Sequence, residues 1–479
     1  MADAKPSMTK VLVANRGEIA CRVFRSASDL GMKTVAVYSD ADAQSRHVAM
    51  ADEKVHIGGP APAESYLRTD AILKAALDTK AQAIHPGYGF LSENAEFARE
   101  VRAAGLIWVG PDPETIEMMG DKYAAREAAV EAGVPVLPGS DRIESTDEAA
   151  IAEAVAKIGF PLLVKAAGGG GGIGMKRVDD AESLSTAIAS TQSVATRLFG
   201  GGGVFLERFV ENARHIEVQV FGFGDGRVVH LFERECSIQR RFQKIVEESP
   251  SPAIDAQMRE RLTQAACALA ASQKYAGAGT VEFIYDDDND VFYFLEMNTR
   301  IQVEHPVTEM ITQVDLVAWQ LLLAAGKVRN VSQADIAAKG HAIEFRLCAE
   351  NPAKKFFPSP GKISKLKWPE PDTDVRIDTG VRQGDSITPY YDPMIAKVIV
   401  FGQTREAAIA KASTVLAAIC IEGPHTNLSL MHNILECSDF RSGRTLTTFI
   451  QNNLDQLLEQ AGKTAGPDAA SSTKCMGNN

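Results

Sequence analysis

Long apolar runs are missing from this sequence. Nowhere in its 479 residues do apolar positions approach the ~20 in succession that cross a bilayer, which excludes a membrane-spanning helix. The opening Met-Ala-Asp-Ala-Lys-Pro-Ser lacks the apolar core of a secretory signal. Positive charge is in deficit: 50 Lys and Arg stand against 62 Asp and Glu, a formal net charge of −12. No overall basic field is therefore available to hold nucleic acid or an anionic membrane. Cysteine is sparse, with 7 residues at positions 21, 236, 267, 348, 420, 437 and 475 and no Cys-x-x-Cys pair. An odd count at irregular spacing argues against a cysteine zinc site and fits a reducing cytosol. The expectation is a soluble intracellular protein, cytoplasmic with an organelle location left open, that engages neither nucleic acid nor membrane.

What is present is an ordinary globular composition, 45% hydrophobic and 23% charged. The chain is about three times the ~150-residue length of a typical domain, so two to four domains are expected. Lys10–Ala14 reads as a buried strand, Glu18–Leu30 carries apolar residues at helical spacing, and Lys33–Tyr38 is β-rich again. Strand, helix and strand in so short a span indicate a parallel βαβ unit. The alternation continues through Ala81–His85, Leu106–Gly110 and an amphipathic stretch, Thr115–Gly133, so residues 1–135 read as an open parallel α/β domain. Val134-Pro-Val-Leu-Pro-Gly139 is a hinge. Residues 136–204 hold one helical run, the strand Phe160–Ala167 and two glycine clusters, and read as a flexible lid. Residues 205–347 are strand-rich around one long helix, Asp255–Tyr275, and 348–450 are β-rich. The tail, 451–479, turns Gly/Ala/Ser/Asp-rich from Ala461 and is expected to end mobile. The fold class is thus α/β with α+β parts.

Three segments carry chemistry. In Lys165-Ala-Ala-Gly168-Gly-Gly-Gly-Gly172-Ile-Gly174, the pattern Gly169-x-Gly171-x-x-Gly174 matches a dinucleotide fingerprint, but that motif requires a helix to follow. Met175–Val178 reads as a strand instead. A strand–glycine loop–strand hairpin remains, whose backbone N–H groups can approach phosphate oxygens closely. Second, Glu282 and Glu296 flank the turn Asp286–Asp290. A hairpin centred on Asn289 places them opposite each other on one face, where like charges repel unless a cation such as Mg²⁺ intervenes. Third, in Asn298-Thr-Arg300-Ile-Gln302-Val-Glu304-His-Pro306, an extended chain would project Arg300, Gln302 and Glu304 to one side. Gln239-Arg-Arg-Phe-Gln-Lys244 adds positive charge. A small anion fits beside these cations, with an adjacent carboxylate as a candidate general base.

Together with Ala14-Asn-Arg-Gly-Glu-Ile-Ala20, His85-Pro-Gly-Tyr-Gly-Phe-Leu-Ser-Glu-Asn94 and Tyr390-Tyr-Asp-Pro-Met-Ile-Ala-Lys397, these segments closely resemble biotin carboxylase, of the ATP-grasp superfamily, over about Lys10 to Ile450. The resemblance implies a ligase with an ATP-grasp lid and central domain between the N-terminal α/β and C-terminal domains. In that family bicarbonate attacks the γ-phosphate of ATP, carboxyphosphate releases CO₂, and a ureido nitrogen of biotin is carboxylated. Carried over, Lys122, Lys165, His215, Gly171 and Gly172 would hold the nucleotide phosphates with Gln239 nearby, and Glu207, Arg208, Phe209 and Val210 would line the adenine pocket. Glu282, Glu296 and Asn298 would bind Mg²⁺ or Mn²⁺. Lys244, Arg300, Gln302 and Val303 would hold bicarbonate. Glu304 would be the base, Arg346 would stabilise negative charge, and Tyr88 would border the biotin pocket. The family is commonly a homodimer, and Arg22 falls at a position associated with that contact. The chain departs from the pattern at Ile173, where Arg or Lys is usual, and at Phe242, where His is common; the glycine-loop amides and Lys165 are expected to suffice. No Ala-Met-Lys-Met segment of the kind that carries biotin occurs, so biotin is expected on another polypeptide, or the chain is a piece of a longer one; the partners the resemblance implies are a biotin carboxyl carrier protein and a carboxyltransferase on other chains. The alternatives are a catalytically silent ATP-binding subunit and another ATP-grasp ligase joining a carboxylate to an amine.

Overall fold

The computed structural model describes residues 8–143, 148–166, 174–199, 203–327 and 331–464. The first sheet is parallel: β1 (Lys10–Val13), β2 (Lys33–Ser39), β3 (Glu53–Gly58), β4 (Ala83–His85) and β5 (Ile107–Trp108), in the order β3-β2-β1-β4-β5. Helix α1 (Gly17–Asp29) joins β1 to β2 and buries Ile19, Ala20, Val23, Phe24 and Ala27, the periodic residues seen in the sequence. Strand order reverses between β1 and β4, and ligands of open α/β sheets bind where such a reversal leaves a crevice at the carboxyl ends. The loops leaving β1 and β4, Ala14–Gly17 and Pro86–Tyr88, meet there. The amphipathic stretch Thr115–Gly133 falls on two helices, Pro113–Gly120 and Lys122–Glu131. Asp121 stays extended between them and accepts from the Tyr123 and Ala124 N–H groups at 2.9 Å, capping the second.

The strand–loop–strand arrangement is present as β6 (Leu162–Ala166) paired antiparallel with β7 (Met175–Val178); β8 (Val204–Arg208) completes a small sheet backed by two helices, Glu148–Ile158 and Ala181–Phe199. The connecting Gly171, Gly172 and Ile173 lie outside the described residues. Next come β9 (Ala213–Phe223), β10 (Val228–Arg240), β11 (Gln243–Ser249), β12 (Ala276–Asp286), β13 (Val291–Asn298) and β14 (His341–Cys348). With two later strands they form one eight-stranded sheet, β13-β12-β9-β10-β11-β14, then Met394–Gly402 and Val375–Thr379. Strand β9 is buried throughout. Its Ile216, Val218 and Val220 pack with Met258, Leu262, Ala266 and Leu269 of the helix Ala256–Ser272, the long helix read at Asp255–Tyr275. The alternate positions, His215, Glu217 and Gln219, belong to the opposite face.

The segment after β14 is less β-rich than its sequence suggested. Helix Arg405–Ala418 lies over strand Met394–Gly402 and buries Ala408, Ile409, Ala412, Val415 and Leu416, apolar positions at helical spacing. Helix Leu428–Glu436 and the C-terminal helix Phe449–Thr464 pack beside it, so the stretch read as tail begins as ordered helix. Among the described residues no helix is long and apolar enough to cross a membrane.

The first sheet is tied to the C-terminal segment by a buried charge. Arg16 meets Asp42 through two bonds of 2.6 and 2.7 Å, Tyr66 donates to the same carboxylate at 2.6 Å, and the guanidinium lies 4.1 Å over the Tyr391 ring. Burial alone would raise the Asp42 carboxyl, but Arg16 outweighs it and holds it at about 2, against an ordinary 3.8. A depressed carboxylate stabilises the fold above its unfolded value and loses that contribution as pH falls through the folded one. Asp42→Asn is expected to cost about 2 kcal/mol at neutral pH. Urea midpoints of parent and variant should converge as pH drops from about 4 towards 2; a pH-independent difference would contradict this.

Candidate active site

The cleft between the β6–β7–β8 flap and the central sheet has a volume of about 1210 Å³. A single drug-sized ligand takes ~300–1,000 Å³, so nucleotide and second substrate both fit. Cross-strand register builds one wall. Glu296 on β13, Glu282 on β12, Glu217 on β9 and Arg234 on β10 are successive partners across four adjacent strands. Three carboxylates in a row repel, and cations answer them. Lys244 Nζ on β11 lies 2.6 Å from Glu217, 3.0 Å from Glu282 and 2.6 Å from Glu304. His215 Nε2 is 2.7 Å from Glu282. Arg234, fully buried, donates to Glu217 at 2.5 Å and to Gln302 at 2.8 Å.

These contacts set the charges. Burial works against the Lys244 ammonium, but Glu217, Glu282 and Glu304 outweigh it and raise its pKa well above the ordinary value. Burial likewise opposes ionisation of Glu304, yet Lys244 and Arg346 hold its carboxyl far below the usual range. Glu282 is depressed against its burial by Lys244 and His215. Glu296 behaves oppositely: the cleft walls and then the Glu282 charge push it up. A carboxylate so placed, facing open space beside a second one, gains from a cation.

The Glu282–Glu296 pairing was legible in the sequence for a partly accidental reason. Positions Asp286↔Val291 through Phe283↔Phe294 pair about a centre between Asp288 and Asn289. A bulge at Leu295 inserts one residue and restores Glu282↔Glu296, the register a turn centred on Asn289 would give. Phe292 and Phe294 are buried as expected, while Ile284 lines the cleft.

The Asn298–His305 segment is not extended to its end. It leaves β13, turns at Val303–Glu304, and Glu304 precedes the helix His305–Thr312. The three side chains converge by separate routes. Arg300 donates to Glu93 and to the side-chain oxygen Oδ1 of Asn298, both at 2.8 Å. Gln302 donates to Glu282 at 2.7 Å, and Glu304 accepts from Lys244 at 2.6 Å and Arg346 at 2.9 Å. Arg346 also donates to buried Glu247 at 2.5 Å. Of the expected metal ligands, Glu282 and Glu296 offer oxygens suited to a hard divalent ion. Asn298 turns its N–H to Glu282 at 2.9 Å and its oxygen to Arg300.

On the nucleotide side, Lys165 of β6 pairs with Glu207 of β8 inside the cleft. Lys122, Arg208, Phe209, Val210, His215 and Gln239 line it as well. The Arg208 and Phe209 amides donate to the carbonyls of Pro138 and Pro161 at 2.9 and 3.1 Å, so a base reaching this edge meets other backbone groups. Phe242, 60% exposed, sits at the cleft in a two-residue turn where both Arg241 and Phe242 have positive φ, 49° and 65°. Tyr88 stands outside the cleft lining and gives its hydroxyl to Glu18. Arg22 is buried within the chain, 2.8 Å from both Glu309 and Asp315.

Sequence reasoning missed Glu217, Arg234, Glu93 and Glu247. Glu217 had a signal, since His215-Ile-Glu217-Val-Gln219-Val alternates polar and apolar within a strand flanked by hydrophobic residues. The partners of the others lie across the sheet or in another layer, and no local pattern marks them.

A hinged three-stranded flap over an antiparallel sheet lined with acidic and basic side chains is the architecture of an ATP-grasp ligase. Family models cover most of the chain: "Biotin carboxylase, N-terminal domain" matches residues 7–116, "Carbamoyl-phosphate synthase L chain, ATP binding domain" 121–330, and "Biotin carboxylase C-terminal domain" 344–452. The biotin carboxylase of Halalkalibacterium halodurans is 50% identical over 445 residues, 93% of this chain and 98% of that one. The chain belongs to the biotin carboxylase family. The mitochondrial methylcrotonoyl-CoA carboxylase subunit alpha of Dictyostelium discoideum is 47% identical over 451 residues, 94% of this chain and 64% of that one. Among solved structures, the biotin carboxylase domain dimer of Hydrogenobacter thermophilus 2-oxoglutarate carboxylase, in complex with MgADP, ADP and bicarbonate, gives a TM-score of 0.89 at 44% identity, covering 95% of this chain and 99% of that one.

Proposed function

We propose that this chain carboxylates the ureido nitrogen of biotin carried on a partner protein, using ATP and bicarbonate and passing through carboxyphosphate. What supports this most is the setting of Glu304, an ionised carboxylate between Lys244 and Arg346 with Arg300 and Gln302 on the same segment. An anion bound by Lys244 and Arg300 would lie beside a group able to take its proton. It would also draw the Lys244 charge away from Glu304 and so raise that carboxylate's basicity.

Phosphoryl transfer asks mainly for alignment and charge neutralisation. Lys122, Lys165, His215 and the Gly171–Gly172 amides would hold the phosphates with Gln239 nearby, and Glu207 to Val210 would line the adenine pocket. Glu282 and Glu296 would hold Mg²⁺ or Mn²⁺, which when bound neutralises phosphate charge. Glu304 would deprotonate bicarbonate, and Arg346 would face the negative charge that develops on carboxyphosphate or the biotin enolate. The flap of residues 136–204 would exclude water from carboxyphosphate. Partners on this reading are a biotin carboxyl carrier protein, a carboxyltransferase and a second copy of the chain, in the cytoplasm.

ATP hydrolysis by the purified chain is expected to need bicarbonate and to rise further with free biotin. No hydrolysis under saturating ATP, bicarbonate and biotin would favour a silent ATP-binding subunit, and turnover with an amine but without biotin would favour a different ligase.

A further inference from the structure

Two of the long sequence motifs, Ala14–Ala20 and Tyr390–Lys397, have no part in the chemistry above, yet they meet beneath it. Lys397, fully buried on strand Met394–Gly402, has its Nζ 3.0 Å from Glu18 Oε1 and donates to the Val303 carbonyl at 2.8 Å. The same Glu18 oxygen accepts the Tyr88 hydroxyl, and Asn15 Nδ2 donates to the carbonyls of Pro86 and Tyr88 at 2.8 and 2.7 Å. The first turn of α1, which also takes the Tyr88 hydroxyl from the loop after β4, and the turn before helix His305–Thr312 thus meet the ammonium carried by strand Met394–Gly402.

The arrangement is a poor device for stability alone. A buried ion pair is often no better than apolar packing of equal volume. Lys397 is also the direct cross-strand partner of Arg346, a like charge. Asp378 pairs with it from the other side, but Asp378 is already bonded to Arg376 at 2.6 Å and Arg25 at 3.0 Å. Glu344, two residues before Arg346, is driven towards its neutral form by burial and leaves the Lys397 charge to Glu18. What the ammonium does uniquely is fix a peptide plane: the Val303 carbonyl belongs to the bond that carries the Glu304 N–H, so its direction sets where Glu304 emerges.

We propose that Lys397 and Glu18 are a positioning pair that holds the bicarbonate side of the site, through the Val303–Glu304 peptide, in fixed relation to the biotin side, through Tyr88. Neither touches a reacting atom. The inference rests on the function proposed above.

The test is the double variant Lys397→Met/Glu18→Gln, which removes the ammonium without stranding a buried charge, with thermal melting and steady-state kinetics read together. A folded double variant is expected to show KM for bicarbonate and for free biotin each raised at least fivefold and kcat lowered, with KM for ATP within about twofold of the parent. Parental KM values for bicarbonate and biotin would overturn the proposal, because a purely structural pair would move only the melting temperature. Should the double variant not fold, Lys397→Gln decides by the same two constants, since its shorter amide cannot reach Val303 and Glu18 together. A parent that hydrolyses ATP equally well with neither bicarbonate nor biotin present would instead sink the functional reading, a separate result.

Discussion

Glu304→Ala is expected to lower kcat by about 10²–10⁴, the usual worth of a positioned general base. The substitution should leave bicarbonate affinity unchanged or improved, and that split is diagnostic. Glu304 is the acceptor for both Lys244 and Arg346; without it two cations face the site with less negative charge between them. Anions, bicarbonate included, should then bind at least as well while the proton has nowhere to go. Steady-state kinetics with bicarbonate varied at saturating ATP checks both halves. A loss of tenfold or less in kcat would remove Glu304 from the role, and a raised KM with unchanged kcat would make it a binding residue only.

Lys244→Met should produce the largest loss of stability in the molecule. The side chain meets Glu217, Glu282 and Glu304, all buried. Breaking a buried pair by removing one partner costs about 3–5 kcal/mol, because uncompensated charge is left behind. The sign with pH follows. With the ammonium gone, Glu282 and Glu304 lose the first of the cations that hold their carboxyls low, so the variant loses most stability where those groups are ionised and recovers as they protonate. The deficit in melting temperature should therefore be full at about pH 7 and shrink as pH falls below the ordinary carboxyl value of 4.5. A deficit that is constant, or that grows on acidification, would show that Lys244 does not neutralise this cluster.

Much of the fold was legible because its signals are local. The βαβ unit at Lys10–Ser39 and the hairpins at Leu162–Val178 and Ala276–Asn298 declare themselves through periodicity and turn residues. What escaped was decided by single caps and by distant partners. Asp121 divides one amphipathic stretch into two helices. The C-terminal helices take their places from packing on one another and on the sheet, Arg405–Ala418 on strand Met394–Gly402 and Phe449–Thr464 on β10 and on helix Leu428–Glu436. In the site, residues with charge in an apolar strand or in a run of like charge stood out, whereas Glu93, Arg234 and Glu247 meet Arg300, Gln302 and Arg346 across 68 or more residues of chain. Gln302 and Glu304 were expected on one face of an extended segment and instead reach the site from either end of a turn. Their types gave them away before their geometry did.

The central claim is that phosphate transfer from ATP is coupled here to carbon–nitrogen bond formation on biotin. The most direct measurement incubates the chain with MgATP, isotopically labelled bicarbonate and free biotin, and follows ADP and labelled carboxybiotin together. The expected result is label in carboxybiotin that appears only with ATP present and is abolished by Glu304→Ala. ADP formed at the same rate with no label reaching biotin would contradict it.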